Sequence, residues 1–367
     1  MKLKTNKIKS LYIHIPFCEH ICSYCDFTKI IRNDNLSFLY ILDLLKSLKG
    51  YIKEKKKFST IYIGGGTPTC IEPFLLNILL SYCTKLLKTT YEFTVEANVE
   101  SINKDTLRIL KNNKVNRLSI GVQTFSDELL LKLNRKHTGK EAINAVNLAF
   151  KYINNINIDL MYGFPFSSFE CLKTDLEIAK TLPINHISTY SLLINKGTLI
   201  YNQGYKEVDG DTLRKYFDFI KNELKKTGFK QYEVSNFSKP GYYSRNNITY
   251  WKNEEYIGLG AGSSGFENKV RYTYTKNINS YLYDHKRTEE IVTVEDDIKY
   301  QIFLNLRTTN GIDRKLFKEK FGFEILEKFG DFFTKLQKKS LIKINKNTIK
   351  CTYNGLMILD NIILEIF

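Results

Sequence analysis

Six short apolar runs, each followed by a stretch with helical periodicity, fix most of what the first two-thirds of this chain can become. The runs are SLYIHIP (10–16), TIYIGGG (60–66), YEFTVEAN (91–98), NRLSIGVQ (116–123), INIDLMYGFP (156–165) and HISTYSL (186–192). Amphipathic segments such as 36–48, 73–87, 104–110 and 141–152 lie between them. Strands alternating with helices imply βαβ units and a parallel sheet. Six such units predict an α/β fold built on a partial (β/α)6 barrel. In barrels of this kind chemistry gathers at the carboxyl ends of the strands.

The polar and glycine residues fall at those ends. A cysteine-bearing loop, HIPFCEHICSYCDF, follows the first run. GGGTPT (64–69) closes the second, Glu96 the third and Gln123 the fourth; Asp159 and the GFP of 163–165 lie toward the end of the fifth. Taken singly, Glu, Gln and Asp also cap helices. Five successive strand ends on one rim amount to a site.

Cys18, Cys22 and Cys25 stand in a C-x3-C-x2-C spacing. Three thiolates are one short of the four that usually hold a four-iron cluster, which leaves one iron open to a non-protein ligand. The same spacing suits zinc, which wants four ligands, and His14 or His20 could complete such a set. Spacing alone divides evenly between the two. Cys70, Cys83, Cys171 and Cys351 are scattered.

A chain of 367 residues can bury a large core and hold more than one domain. No apolar run is long enough for a transmembrane helix, and no signal core follows the basic start MKLKTNKIKS. Seven cysteines without framework spacing agree with a reducing compartment. The expected location is the cytoplasm, with at most peripheral membrane contact. The net charge of +16 is mostly lysine spread along the chain, and its densest run, KEKKK (53–57), is expected to close a helix. Such scatter predicts no dedicated nucleic-acid site.

After about residue 200 the pattern changes. A helix at 212–226 leads to QYEVSNFSKPGYYSRNNITYW and the glycine-rich EYIGLGAGSSGF (255–266). From 295 onward the reading is helix, short helix, helix, a two-stranded turn at 341–352 and a last helix, an outline like a winged helix. The expected division is 1–230 for the barrel, 231–294 for a small α+β extension and 295–367 for the winged-helix-like domain.

With YIHIPFC, GGGTPT, GVQTF, DLMYGFP, YW and GLGAG in this order, the chain resembles the radical S-adenosylmethionine (SAM) family that holds the oxygen-independent coproporphyrinogen III oxidase and the heme chaperone HemW. The resemblance covers nearly the whole chain. It implies that Cys18, Cys22 and Cys25 hold a [4Fe–4S] cluster whose open iron takes the amino and carboxylate groups of SAM. By motif match it implies that Tyr12, Gly65, Gly66, Thr67, Glu96, Gln123, Arg135 and Asp159 contact SAM. Arg135 suits a carboxylate through its planar fork, although its polar neighbours also allow a surface ion pair.

The resemblance is nearer to the chaperone branch. The oxidase branch carries a further cysteine where this chain has Phe27, and a longer segment ahead of the cluster, where this chain has residues 1–9. The implied partners are heme or porphyrin as cargo, a heme-acceptor protein and an electron donor. The heme region of the chaperone branch maps to Asn246, Asn247, Tyr250 and Trp251. The branch's histidine is here Asn246, and an amide is a poor iron ligand beside imidazole. The resemblance therefore implies weak heme binding, a different axial ligand or a diverged role. Two further expectations stand beside it: an oxidase that decarboxylates coproporphyrinogen III, and an RNA-modifying radical enzyme.

Overall fold

A computed structural model describes residues 8–364; residues 1–7 of the basic start, and 365–367, lie outside the described residues. Six parallel strands stand side by side in chain order: β1 (Ser10–Ile15), β2 (Phe58–Gly65), β3 (Leu87–Asn98), β4 (Arg117–Gln123), β5 (Ile156–Tyr162) and β6 (His186–Ser191). Helices Asp34–Lys53, Pro73–Thr84, Lys104–Asn112, Gly139–Phe150 and Phe169–Thr181 cross between them. The predicted α/β partial barrel is the fold observed.

Side chains alternate across each strand, because successive Cβ atoms point to opposite faces. On β3, Phe93 and Val95 face out; on β4, Leu118, Ile120 and Val122 do so. These residues join one core with helix residues such as Leu44, Leu79, Leu107 and Val146. The other parity is polar: Tyr62, Glu96, Arg117, Ser119 and Asp159 line a cavity inside the barrel. A closed eight-stranded barrel fills that space with branched apolar side chains. Here polar side chains stand in that space.

The sheet does not stop at six strands. Tyr256–Leu259 pairs parallel to β1, and Ser264–Glu267, Val270–Tyr274 and Arg287–Ile291 follow antiparallel. At the other edge Asn236–Ser238 runs antiparallel to β6, with Lys230–Gln231 beyond it. The 231–294 segment thus extends the barrel sheet at both edges.

The C-terminal unit has helices Val294–Leu306, Arg314–Phe321 and Ile325–Lys338, with strands Ile342–Ile344 and Thr348–Cys351 and a third short strand, Ile312–Asp313. Its own core includes Ile302, Phe317, Phe333 and Leu336. One expectation needs correction. The last helix is two, Tyr353–Met357 and Leu359–Leu364, parted at Ile358 where φ is −119°. The KEKKK run closes the first helix as expected: Lys53 is its last residue and Glu54 its C-cap, and Lys55 then turns the chain with φ of 54°.

Candidate functional site

The loop after β1 is pinned on several sides. Phe17–Cys18 pairs with Ile30–Ile31. The Ser23 N–H donates to Leu133 O at 3.0 Å, and Asn134 Nδ2 donates to Ile21 O at 2.7 Å. His14 Nε2 lies 2.9 Å from Thr28 O. A carbonyl only accepts, so Nε2 carries the proton and Nδ1 accepts from the Tyr12 hydroxyl, also at 2.9 Å. With both ring nitrogens used, His14 is not a fourth metal ligand. Among the described residues no three or more His, Cys, Asp or Glu side chains converge on a single-ion site. Cys18, Cys22 and Cys25 instead line one wall of the cavity.

That cavity is about 490 Å³. Its walls bring together the three cysteines, Gly65, Gly66, Thr67, Glu96, Gln123, Arg135 and Asp159. Tyr12 is not on the wall; it stands behind it, bonded to His14. The glycines are needed for contact. Gly65 has φ of +120°, and a Cβ there would meet the His14 ring at 2.7 Å; one on Gly66 would meet the Cys18 sulfur at 2.8 Å. Gln123 sits at a shift in strand register with φ of 70°, a conformation uncommon outside glycine.

Arg135 is 6% exposed, so the surface ion pair that its neighbours allowed is not its role. One NH2 group donates to Gly121 O at 2.6 Å and to Asn98 Oδ1 at 3.1 Å; the other reaches Cys22 Sγ at 3.4 Å. Its Nε is buried with no partner among the described residues. Burial opposes charge on Cys22, but His20 and Arg135 beside it hold the thiol below its ordinary range. Burial pushes the Cys18 thiol up to about 11, against a weaker pull from Thr67. Glu96 accepts from the Tyr62 hydroxyl at 2.5 Å and the Gly65 N–H at 3.0 Å. Burial still pushes its pKa up to about 7. Burial raises Asp159 as well, although Asn157 donates to it at 2.8 Å.

Several cavity residues escaped the motif reading. Asn98 donates to Thr67 Oγ1 at 2.9 Å and accepts from Arg135. Tyr62, Arg117, Ser119 and Ser188 line the wall. Their signal was the parity of the strands: Asn98 shares a face with Glu96, and Arg117 and Ser119 share one with Gln123.

The opposite end of the barrel is closed by helix Arg245–Trp251. The N–H groups of Arg245 and Asn246 each donate to the Glu92 carboxylate at 3.1 Å. Asn246 is 2% exposed. Its Oδ1 accepts from Ser10 Oγ at 2.9 Å and its Nδ2 donates to Tyr250 OH at 3.0 Å. Of the expected heme region, Asn247 alone lines the barrel cavity. The Trp251 ring lies 5.4 Å from the Arg307 guanidinium.

Comparison with known proteins gives the family and the fold. Residues 12–179 match the radical SAM superfamily, and residues 292–358 match the HemN C-terminal domain. The chain is 35% identical to the heme chaperone HemW of Lactococcus lactis, over 97% of this chain and 96% of that one. It is also 35% identical to the heme chaperone HemW of Bacillus subtilis, over 95% and 96%. Its fold is similar to that of the coproporphyrinogen III oxidase HemN from Escherichia coli, with a TM-score of 0.83 at 19% identity, covering 98% of this chain and 90% of that one.

Proposed function

The chain belongs to the radical SAM superfamily and, within it, to the family of the heme chaperone HemW, and from that premise we propose that it holds a [4Fe–4S] cluster and SAM in the barrel cavity and carries heme to an acceptor protein. The observation that carries the reading is the convergence on one cavity of three cysteines with the glycine turn, Glu96, Gln123, Arg135 and Asp159. Bound there, a four-iron cluster supplies an open iron for SAM and an electron for its cleavage.

The residues have separable roles in this reading. Cys18, Cys22 and Cys25 hold the cluster. Arg135 fixes Cys22 against Asn98 and Gly121. Gly65 and Gly66 let the backbone and cluster loop approach closely. Glu96 and Asp159 offer carboxylates to the cationic and hydroxyl groups of SAM. Phe27 is 66% exposed at the cavity mouth, where a fourth cysteine of the oxidase branch would stand.

Anaerobic purification with iron and sulfide analysis, followed by a hemin titration, tests the reading. The expected result is about four irons and four sulfides per chain, with hemin bound. Zinc in place of iron, or no hemin uptake, overturns it. Turnover of coproporphyrinogen III to protoporphyrinogen, with SAM and a reductant, would instead support the oxidase reading.

A further inference from the structure

A second cavity, about 480 Å³, opens where β6 meets the C-terminal unit. Tyr190, Ser191 and Leu193 line both cavities, so the two share a wall. Phe217 and Val234 form part of the barrel side of the second cavity; Leu356 to Leu359 face it from the C-terminal unit. Arg307 is the one cation among its lining residues. Three large apolar side chains on its walls are left open to solvent: Tyr190 at 43%, Leu193 at 56% and Ile358 at 42%.

We propose that this second cavity is the heme-carrying site, with the porphyrin ring between Val234 and Ile358 and a propionate on Arg307. The inference rests on the heme-carrier reading above. Space argues first. The barrel cavity already has a cluster and SAM to hold, so a porphyrin needs room elsewhere, and the second cavity adjoins the first.

Chemistry argues next. Heme is a flat apolar disc with two carboxylates. The cavity offers an apolar strip of Phe217, Val234, Leu356 and Ile358 beside polar groups such as Gln231 and Ser235, and a guanidinium whose paired N–H groups suit a carboxylate. Arg307 is presented for this. Its guanidinium lies 5.4 Å from the Trp251 ring and 5.2 Å from Phe303, and its Nε is buried with no partner among the described residues. Its present partner is Asp360, at 2.9 Å, whose side chain is 83% exposed. Such a pair contributes little, so a propionate can displace it. The thioether of Met357 also lines the cavity, and a thioether is a known type of heme-iron ligand. The RNNITYW helix therefore serves heme through Trp251, which backs Arg307. Asn246 is walled in at the barrel floor.

The test is a hemin titration of the full chain with its cluster in place. Ile358→Asp puts a charge against the ring from a part-exposed position that the fold does not need apolar. It should weaken hemin binding about tenfold or more, with cluster iron and SAM affinity unchanged. Arg307→Gln should weaken it about fivefold, and Met357→Leu should shift the heme absorption bands. If the wild type binds hemin and Ile358→Asp and Arg307→Gln bind it equally well, the cavity is not the site, while the heme-carrier reading stands. If the wild type binds no hemin, both fall.

Discussion

The two cavities of this protein are similar in size and differ in the elements that wall them. The polar side chains of the barrel cavity project from the middles and ends of paired strands, each fixed by its register. The second cavity is walled mostly by helix ends, a hairpin and a short loop, with apolar and polar side chains interleaved. Strand-borne groups have little freedom, which suits positions that must meet a cluster and a small cofactor at fixed geometry. Groups on helix ends can move apart at low cost, which suits a cargo that must enter and leave.

The largest effect that tests this contrast is on the cluster. Cys22→Ala should remove most of the iron and the brown absorbance, because two thiolates hold a cube poorly. Hemin binding should survive, since no cysteine of the loop lines the second cavity. Loss of both together would show that the cavities are one functional unit. The next effect is on SAM. Glu96→Gln keeps the size of a residue that lies between Tyr62 and Gly65. It should weaken SAM binding by about 1.5–3 kcal/mol if a charge-assisted hydrogen bond is lost, and leave hemin affinity alone. Equilibrium dialysis with SAM measures it.

Asn246→Ala addresses the barrel floor. It strips partners from Ser10 and Tyr250, and should lower stability by about 1–3 kcal/mol in chemical denaturation, with hemin and SAM affinities unchanged in the folded protein. A specific loss of hemin binding would return the heme site to Asn246. The smallest effect is with pH. With Glu96 held near 7 by burial, its ionised fraction falls as pH drops from 8 to 6. SAM affinity should then fall, by up to about tenfold. Its contribution to folding has the opposite sign: stability is fully present below the ordinary carboxylate pKa of 4.5 and declines as pH rises through about 7. Rising SAM affinity at low pH would remove Glu96 from the contact set.

Much of the barrel was legible because its strands carry two messages at once. In YEFTVEAN the apolar parity, Phe93 and Val95, told where the helices pack, and the polar parity carried Glu96 toward the cavity. The rim could be found by motif because glycine and cysteine are constrained types there. Asn98 and Arg117 were not singled out, since an inward polar residue has no local mark beyond its parity. For Arg135 the sequence left a surface ion pair open beside the cofactor contact, and the residue is buried, because its cover comes from residues 22, 98 and 121, distant in sequence. Asn246 was misleading in the other direction: a position in a recognisable motif said nothing about whether its side chain meets open space. The second cavity joins elements from Tyr162 to Asn361, so no local pattern could announce it.

The pairing of β1 with Tyr256–Leu259 sets an order on the life of a newly made chain. β1 gains β2 as a neighbour as soon as about residue 65 has formed. Its other neighbour emerges nearly two hundred residues later. The same late segment brings Gly260 against His14 O and Gly262 against Thr28, the far end of the cysteine loop. Domains generally fold in the order they are synthesised, yet this loop is completed from the wrong direction. The segment that carries the cysteines is made nearly two hundred residues ahead of the strand that completes its surroundings, so the cysteines stand with one side unfinished until that strand emerges.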